Sequence, residues 1–285
     1  MAEIQTQKDV LVAIQRAEFA GASRCDRIQF RLQMLATCLA GGIFFVPWMK
    51  LEILLGVSAI GLVVAAAFIF YRGRSRRSLG ERARRATLLV NGLGIRMSKV
   101  ELMELGRRAS VPAEELLKWN DATYFASEKV PGPERAAEML LESAFWTEDL
   151  FDRSAAVMWR RVLVVSVFFV VIFLLALGWL GESNVRHELR IICALAPSFV
   201  WVEVVLRALS FQEGSSEVHD VLQGVERLEA NGYPQDDLFV LLMNYNSAVE
   251  SSPMIVSGVY EKNRGRLNRL FEEYIKNQKE KRQGK

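Results

Sequence analysis

The side chains with the most chemical content stand inside an apolar segment. From Phe199 the chain reads Phe-Val-Trp-Val-Glu-Val-Val-Leu-Arg, which places Trp201, Glu203 and Arg207 in a stretch otherwise suited to hydrocarbon, with Pro197 just before it. An ionisable residue in such a segment is costly and usually faces a bundle interior or water. Two readings stand side by side. In one, Glu203 lines or gates an ion path near the mouth of the span and Pro197 makes a hinge. In the other, Glu203 and Arg207 form a structural pair in the favourable helical order and snorkel to the interface.

A second set is cationic and aromatic. Arg107 and Arg108 are followed by Lys118, Trp119, Tyr124 and Phe125. Cationic groups clamp phosphates while aromatic faces stack on bases; equally, Trp119 and Phe125 are rings of the kind that fill a small helical core. The run from Arg72 to Arg85, which includes Arg84, offers charge to a phosphate-rich ligand. It also has a plainer use in setting topology and touching lipid headgroups.

Other chemistry is missing. The only two histidines, His187 and His219, are expected on opposite sides of a bilayer. No HExxH, paired CxxC or phosphate-loop pattern occurs, and Gly92-Leu93-Gly94 is too short for a dinucleotide fingerprint. No enzyme activity, metal or cofactor is expected. The three cysteines, Cys25, Cys38 and Cys193, suit reduced thiols rather than a disulfide framework.

The elements that must position these residues are helices. Four apolar segments, roughly Leu32 to Met49, Ile53 to Tyr71, Val162 to Leu180 and Ile191 to Leu209, are each close to the ~20 residues that span a hydrocarbon core. Short turns join them into two hairpins. Arginines crowd the opposite ends: Arg24, Arg27 and Arg31 before the first span, the Arg72 run after the second, Arg160 and Arg161 before the third. Basic short loops stay cytoplasmic, so both termini and the central insert are expected in the cytosol. Tyr71, Trp159, Trp48 and Trp179 fall near span ends, as interfacial aromatics do. A net charge of +3 and a charged fraction of 24% therefore average over two very different environments.

The expected organisation is a cytosolic amphipathic helix (1–31), hairpin one (32–71), a cytosolic helical insert (72–161), hairpin two (162–209) and a cytosolic C-terminal helical segment (210–285). In the insert, Ser98 and Glu101 spell a capping box. A short helix is expected from Pro112 to Trp119, and a long one from Glu134 continuing into the third span. After the fourth span three helices are expected, at about 216–230, 235–250 and 253–276, ending in a basic, frayed tail. The apolar stripe Leu238, Phe239, Leu241, Leu242 and Tyr245 needs a partner surface. The fold class is an all-α membrane protein, four transmembrane helices in two hairpins with a helical cytosolic domain. One copy has too few polar positions to line a water-filled path, so any pore is a homo-oligomer.

The order of these elements resembles the SMODS-associated four-transmembrane family of pore-forming effectors from bacterial anti-phage systems. Local echoes are Gln15-Arg16 and Ala22-Ser23-Arg24 within Leu11 to Arg27, Leu117-Lys118-Trp119, Leu140 to Trp146, and Asn244-Tyr245-Asn246 followed by Pro253, Tyr260 and Leu267-Asn268. The sequence departs from the pattern where Asn120 follows Trp119 in place of an aromatic pair. The resemblance implies an effector in the bacterial inner membrane that breaches it when a partner nucleotidyltransferase system signals infection. The signal is a nucleotide, cyclic or linear, acting by binding or by withdrawal. Arg84, Arg85, Arg107, Arg108, Lys118 and Trp119 are the candidate ligand residues, and membrane lipids are the other expected partner.

Overall fold

A computed structural model describes residues 2–43, 46, 48–121, 124–177 and 185–283. Among them the chain is helical, with no strand. Its helices are α1 (Ala2–Gly42), α2 (Met49–Thr87), α3 (Lys99–Arg108), α4 (Ala113–Leu116), α5 (Pro133–Leu177), α6 (Val185–Ala230), α7 (Gln235–Ser251) and α8 (Val259–Gln283).

Four of these helices are very long. At 1.5 Å per residue α5 and α6 each extend for more than about 60 Å, roughly twice the thickness of a hydrocarbon core. α1 pairs antiparallel with α2, and α5 with α6. The first pairing is close enough that a Cβ on Gly73 would lie 2.9 Å from the Cβ of Cys25, so only glycine fits there. α1 also lies on α5, with Gly41 against Ile172, and on α6. It thus touches each of the other three long helices.

Sequence divides each long helix into an apolar half and a polar half. The apolar half of α2 leaves Leu54, Val57, Ile60, Val64 and Phe68 exposed, and that of α5 leaves Leu163, Val164, Val167 and Leu174 exposed. Both helices are long and apolar enough to cross a membrane. Their apolar stretches are mostly unburied, unlike those of a soluble core helix. Tyr71 and Trp159, at the polar ends of the two stretches, are also exposed. The first expected span differs in form: its helix ends at Gly42, so Leu32 to Gly42 supplies roughly 16 Å of helix. In the fourth, the side chains of 191–199 lie outside the described residues.

The polar halves assemble with the short helices into a head that has two cores. Leu11, Ile14 and Ala17 of α1 pack with Leu79, Ala83 and Val90, and with Leu105 and Leu116 of α3 and α4. Phe151, Phe211, Leu238, Leu242 and Leu267 form the other, where α5 to α8 meet. Each large side chain buried this way contributes about 1.5–3 kcal/mol. The expected stripe on α7 finds its partner here, on α6 and on the part of α5 that precedes the third span.

Several local expectations hold. Ser98 and Glu101 form the capping box, with Glu101 N–H donating to Ser98 Oγ at 3.2 Å. α4 and the 3-10 turn Leu117–Trp119 form the short helix after Pro112. α5 runs unbroken from Pro133 into its apolar half. Gly232, at φ 76°, closes α6 after Asn231.

Two boundaries differ from expectation. The segment 216–230 is no separate helix: α6 continues through Gly214, Ser215 and Ser216, and Gly214 admits Ser252 and Phe151 rather than breaking the helix. α8 starts at Val259, not Pro253, because the intervening chain turns Val256 into the core, its N–H donating to Ser154 Oγ at 3.3 Å. Its helix continues to Gln283, through most of the stretch read as a frayed tail.

Candidate functional site

At the polar margin of the apolar belt, α1 and α6 face each other through a set of polar side chains. One helical turn separates Glu203 from Arg207 on α6, and one turn separates Gln29 from Gln33 on α1, so each pair projects from one face. Gln29 Nε2 donates to Glu203 Oε1 at 3.2 Å and Gln33 Nε2 to Oε2 at 2.6 Å. Arg207 Nη2 lies 2.8 Å from Glu203 Oε1, while its Nη1 donates to Asp26 at 2.5 Å. The Glu-to-Arg pair therefore exists, as one link in a chain from Gln33 to Asp26. Arg161 and Arg77 also lie within electrostatic reach of Asp26, so the two carboxylates of the layer are balanced by cations around it. A cleft of about 460 Å³ opens on it, walled by Val63, Ala66 and Phe70 of α2 and by Leu206.

Trp201 leaves this layer. It is exposed, and its indole donates to Ser166 Oγ at 2.7 Å, tying α6 to α5. Pro197 falls in α6, its side chain outside the described residues. Gln29, Gln33 and Asp26 were not singled out from sequence. Their signal is two amides four residues apart where an amphipathic helix enters its apolar run.

The basic run divides by function. Arg77 Nη2 donates to the carbonyls of Val249 and Ser252 at 2.8 and 2.5 Å, capping the C-terminal end of α7. Arg84 is buried; its Nε donates to Glu81 at 2.7 Å, its Nη2 to Asn246 Oδ1 at 3.1 Å, and its Cζ lies 4.9 Å from the Tyr245 ring centre. Arg85 pairs with Glu250 at 3.0 Å. Burial works against the charge on Arg84, but Glu81 and Tyr245 outweigh it and hold its pKa above the ordinary arginine value. For Arg77 burial prevails over Glu81 and lowers the pKa. These arginines clasp α2 to α7.

The remaining candidates lie apart from that clasp. Arg107 and Arg108 are exposed on α3, with Arg108 paired to Glu104 at 2.5 Å. Lys118 is exposed, whereas Trp119 is half-buried against the α1 core. The Trp119 carbonyl accepts from Arg16, which also pairs with Asp121 at 3.1 Å. The six candidate ligand residues thus occupy two places: Arg84 and Arg85 against α7, and the other four on α3 and the turn after α4.

Between these places lies an aromatic junction. Gln15 Nε2 donates to the Tyr124 hydroxyl at 2.7 Å, and Phe125 stands edge-on to Tyr124 at 4.8 Å. The Tyr124 hydroxyl is held above its usual pKa by desolvation, reinforced by Tyr260 and Tyr245 nearby. Tyr245 shares a 2.9 Å hydrogen bond with Thr147, and Trp146 stacks at a tilt on Tyr260 at 6.0 Å. Gln15 Oε1, Arg84 Nη1 and Trp146 Nε1 are buried with no hydrogen-bond partner among the described residues.

Among the described residues no group of three His, Cys, Asp or Glu side chains is placed to hold a metal. His219 shares hydrogen bonds with Glu148 and Gln223, both at 2.8 Å.

Fold and site define an all-helical chain with two helices long and apolar enough to cross a membrane. No family model, curated protein or solved structure matches it.

Proposed function

We propose that the protein is a membrane effector of bacterial anti-phage defence. It forms a homo-oligomeric ion channel or pore whose opening is controlled by a nucleotide signal, a cyclic nucleotide or short linear oligonucleotide, bound by the cytosolic helices. All four apolar segments cross the inner membrane as two hairpins, with both termini cytosolic. Opening disrupts the membrane and aborts infection. The resemblance described above supplies the biological setting.

The observation that carries this reading is the continuity of α5 and α6, each one helix from the apolar belt into the buried core of the head. A helix without a break transmits displacement at one end to the other, so a ligand that shifts the head moves the spans. The Glu203 layer, which sets a carboxylate beside an open cleft, supplies a cation-attracting constriction once several copies bring such layers together.

A second reading is a non-conducting membrane-anchored scaffold that recruits a cytosolic protein partner. It is favoured by the fact that both oxygens of Glu203 are satisfied within one chain, leaving no need for a pore to explain the carboxylate.

Ion flux from liposomes holding the purified protein, with cyclic nucleotides or short single-stranded oligonucleotides on the head side, separates the two. Flux switched by one nucleotide class supports the channel and gives the sign of control. An absence of flux in every ligand state, from protein shown to be oligomeric, leaves the scaffold.

A further inference from the structure

Where α1 and α5 meet at the polar margin of the belt, a second cleft of about 290 Å³ is lined by Phe30, Met34, Val164 and Val165, with Arg160 and Arg161 among its walls. Arg161 lies over Phe30, its Cζ 4.4 Å from the ring centre, and Arg160 is exposed. Neither guanidinium has a carboxylate within ion-pair distance among the described residues. The nearest acid acting on Arg161, Asp26, is already bonded to Arg207. Two cations with no ion-paired carboxylate among the described residues therefore stand at one end of an apolar cleft.

The position of that cleft narrows what fills it. Trp159, two residues before Arg161, is partly exposed, as interfacial indoles are. Directly beyond Arg161 the exposed face of α5 becomes Leu163, Val164, Val167 and Val171. A ligand seated here has a phosphate against guanidinium groups and hydrocarbon along valine and methionine. A free phosphate uses only the first half of this surface. A zwitterionic headgroup brings an ammonium toward two guanidinium groups with no carboxylate to receive it.

We infer that the α1–α5 cleft is a binding site for an anionic phospholipid, with Arg160 and Arg161 holding the phosphodiester and the Phe30, Met34, Val164 and Val165 walls receiving the start of an acyl chain. Basic pockets between spans on the cytosolic side hold anionic headgroups in this manner. The inference rests on the apolar belt lying in a bilayer. A bound lipid here touches α1 and α5 at once, so it bears on the packing of α1 against a helix that continues into the head.

The test uses the full chain in detergent micelles doped with phosphatidylglycerol, with phosphatidylcholine, or with soluble glycerol phosphate, reading the thermal unfolding midpoint against additive concentration. Phosphatidylglycerol is expected to raise the midpoint in a saturable way, and the other two additives are not. The double variant Arg160→Gln with Arg161→Gln is expected to weaken the apparent affinity about tenfold or more. Val164→Trp, which keeps both arginines and fills the exposed mouth, is expected to do the same, and Lys262→Gln, an exposed cation on α8, to leave the response intact.

An equal response to phosphatidylcholine, or an unchanged response in both cleft variants, overturns the site. A full response to glycerol phosphate reassigns it to soluble phosphate and overturns the lipid. Carbonate extraction of the wild-type protein from membranes tests the bilayer reading separately: release into the soluble fraction sinks that reading, whereas retention with unchanged cleft variants sinks only the lipid site.

Discussion

Arg84 of α2 lies with its guanidinium 4.9 Å over the ring of Tyr245 on α7, and the same side chain reaches Glu81 behind it and Asn246 beside the ring. Because α2 continues the first hairpin and α7 follows the second, this contact joins the two halves of the chain. It is buried, so its charges are matched within the protein rather than by water.

Removing one partner of such a pair strands the other. Arg84→Met is expected to leave the buried Glu81 with only its longer 3.8 Å contact to Arg77, costing up to about 3–5 kcal/mol. Arg84→Lys keeps a charge but not the planar fork over the ring, and should cost less. Thermal or urea unfolding of the detergent-purified variants measures this. Stability within about 0.5 kcal/mol of wild type for Arg84→Met would show that the clasp carries no weight.

The head also carries a titrating group. Desolvation lifts the pKa of Glu142 on α5 from 4.5 to about 7, against the opposing Ala126 N–H that donates to it at 2.9 Å. The folded state thus holds this proton more tightly than the unfolded chain does. Stability from this group is complete below pH 4.5, falls as pH rises to about 7, and is constant above. The total fall is at most about 3 kcal/mol. Glu142→Gln, neutral throughout and still able to accept from Ala126, is expected to flatten that part of the profile. Parallel profiles for wild type and variant between pH 4.5 and 8 would assign the dependence to another group.

Much of the fold was legible because it rests on runs and punctuation. The apolar stretches of α2 and α5, the capping box at Ser98 and the Asn231-Gly232 stop each follow from a few neighbouring residues. What could not be read was which residue meets which across the bundle. Glu203 was visible as a charge in an apolar segment, yet its partners Gln29 and Gln33 lie some 170 positions away in sequence. Arg77, Arg84 and Arg85 read as part of a basic run for a phosphate-rich ligand, for topology or for lipid headgroups, whereas α7 and the turn after it supply carbonyls, an amide, a carboxylate and a ring for them. The helix break expected near Ser216 failed for a similar reason, since Gly214 is small to admit Ser252 rather than to end a helix.

That reading of Gly214 makes a direct prediction. A Cβ there would lie 1.9 Å from Ser252 Oγ and 3.1 Å from Phe151 Cε2. Gly214→Ala is expected to destabilise by about 1–3 kcal/mol through overpacking, despite the better helix propensity of alanine. Adding Ser252→Gly removes the nearer clash and should restore part of the loss. If Gly214→Ala alone is neutral or stabilising in thermal unfolding, the close approach of α6 to the 252 turn is wrong.

The polar layer allows charge and bonding to be separated. Glu203→Gln keeps a side chain of the same shape and leaves Arg207 paired with Asp26, so one negative charge of the layer is lost while the helix contact survives. Gln33→Leu does the reverse: it removes the 2.6 Å hydrogen bond and keeps every charge, costing about 1–2 kcal/mol of stability. In a channel that passes ions by the layer, Glu203→Gln lowers the preference for cations severalfold and Gln33→Leu does not. Single-channel recordings under a salt gradient distinguish them through the reversal potential. A reversal potential unmoved by Glu203→Gln removes the carboxylate from the ion path and leaves it as the strut between α1 and α6 that its hydrogen bonds describe.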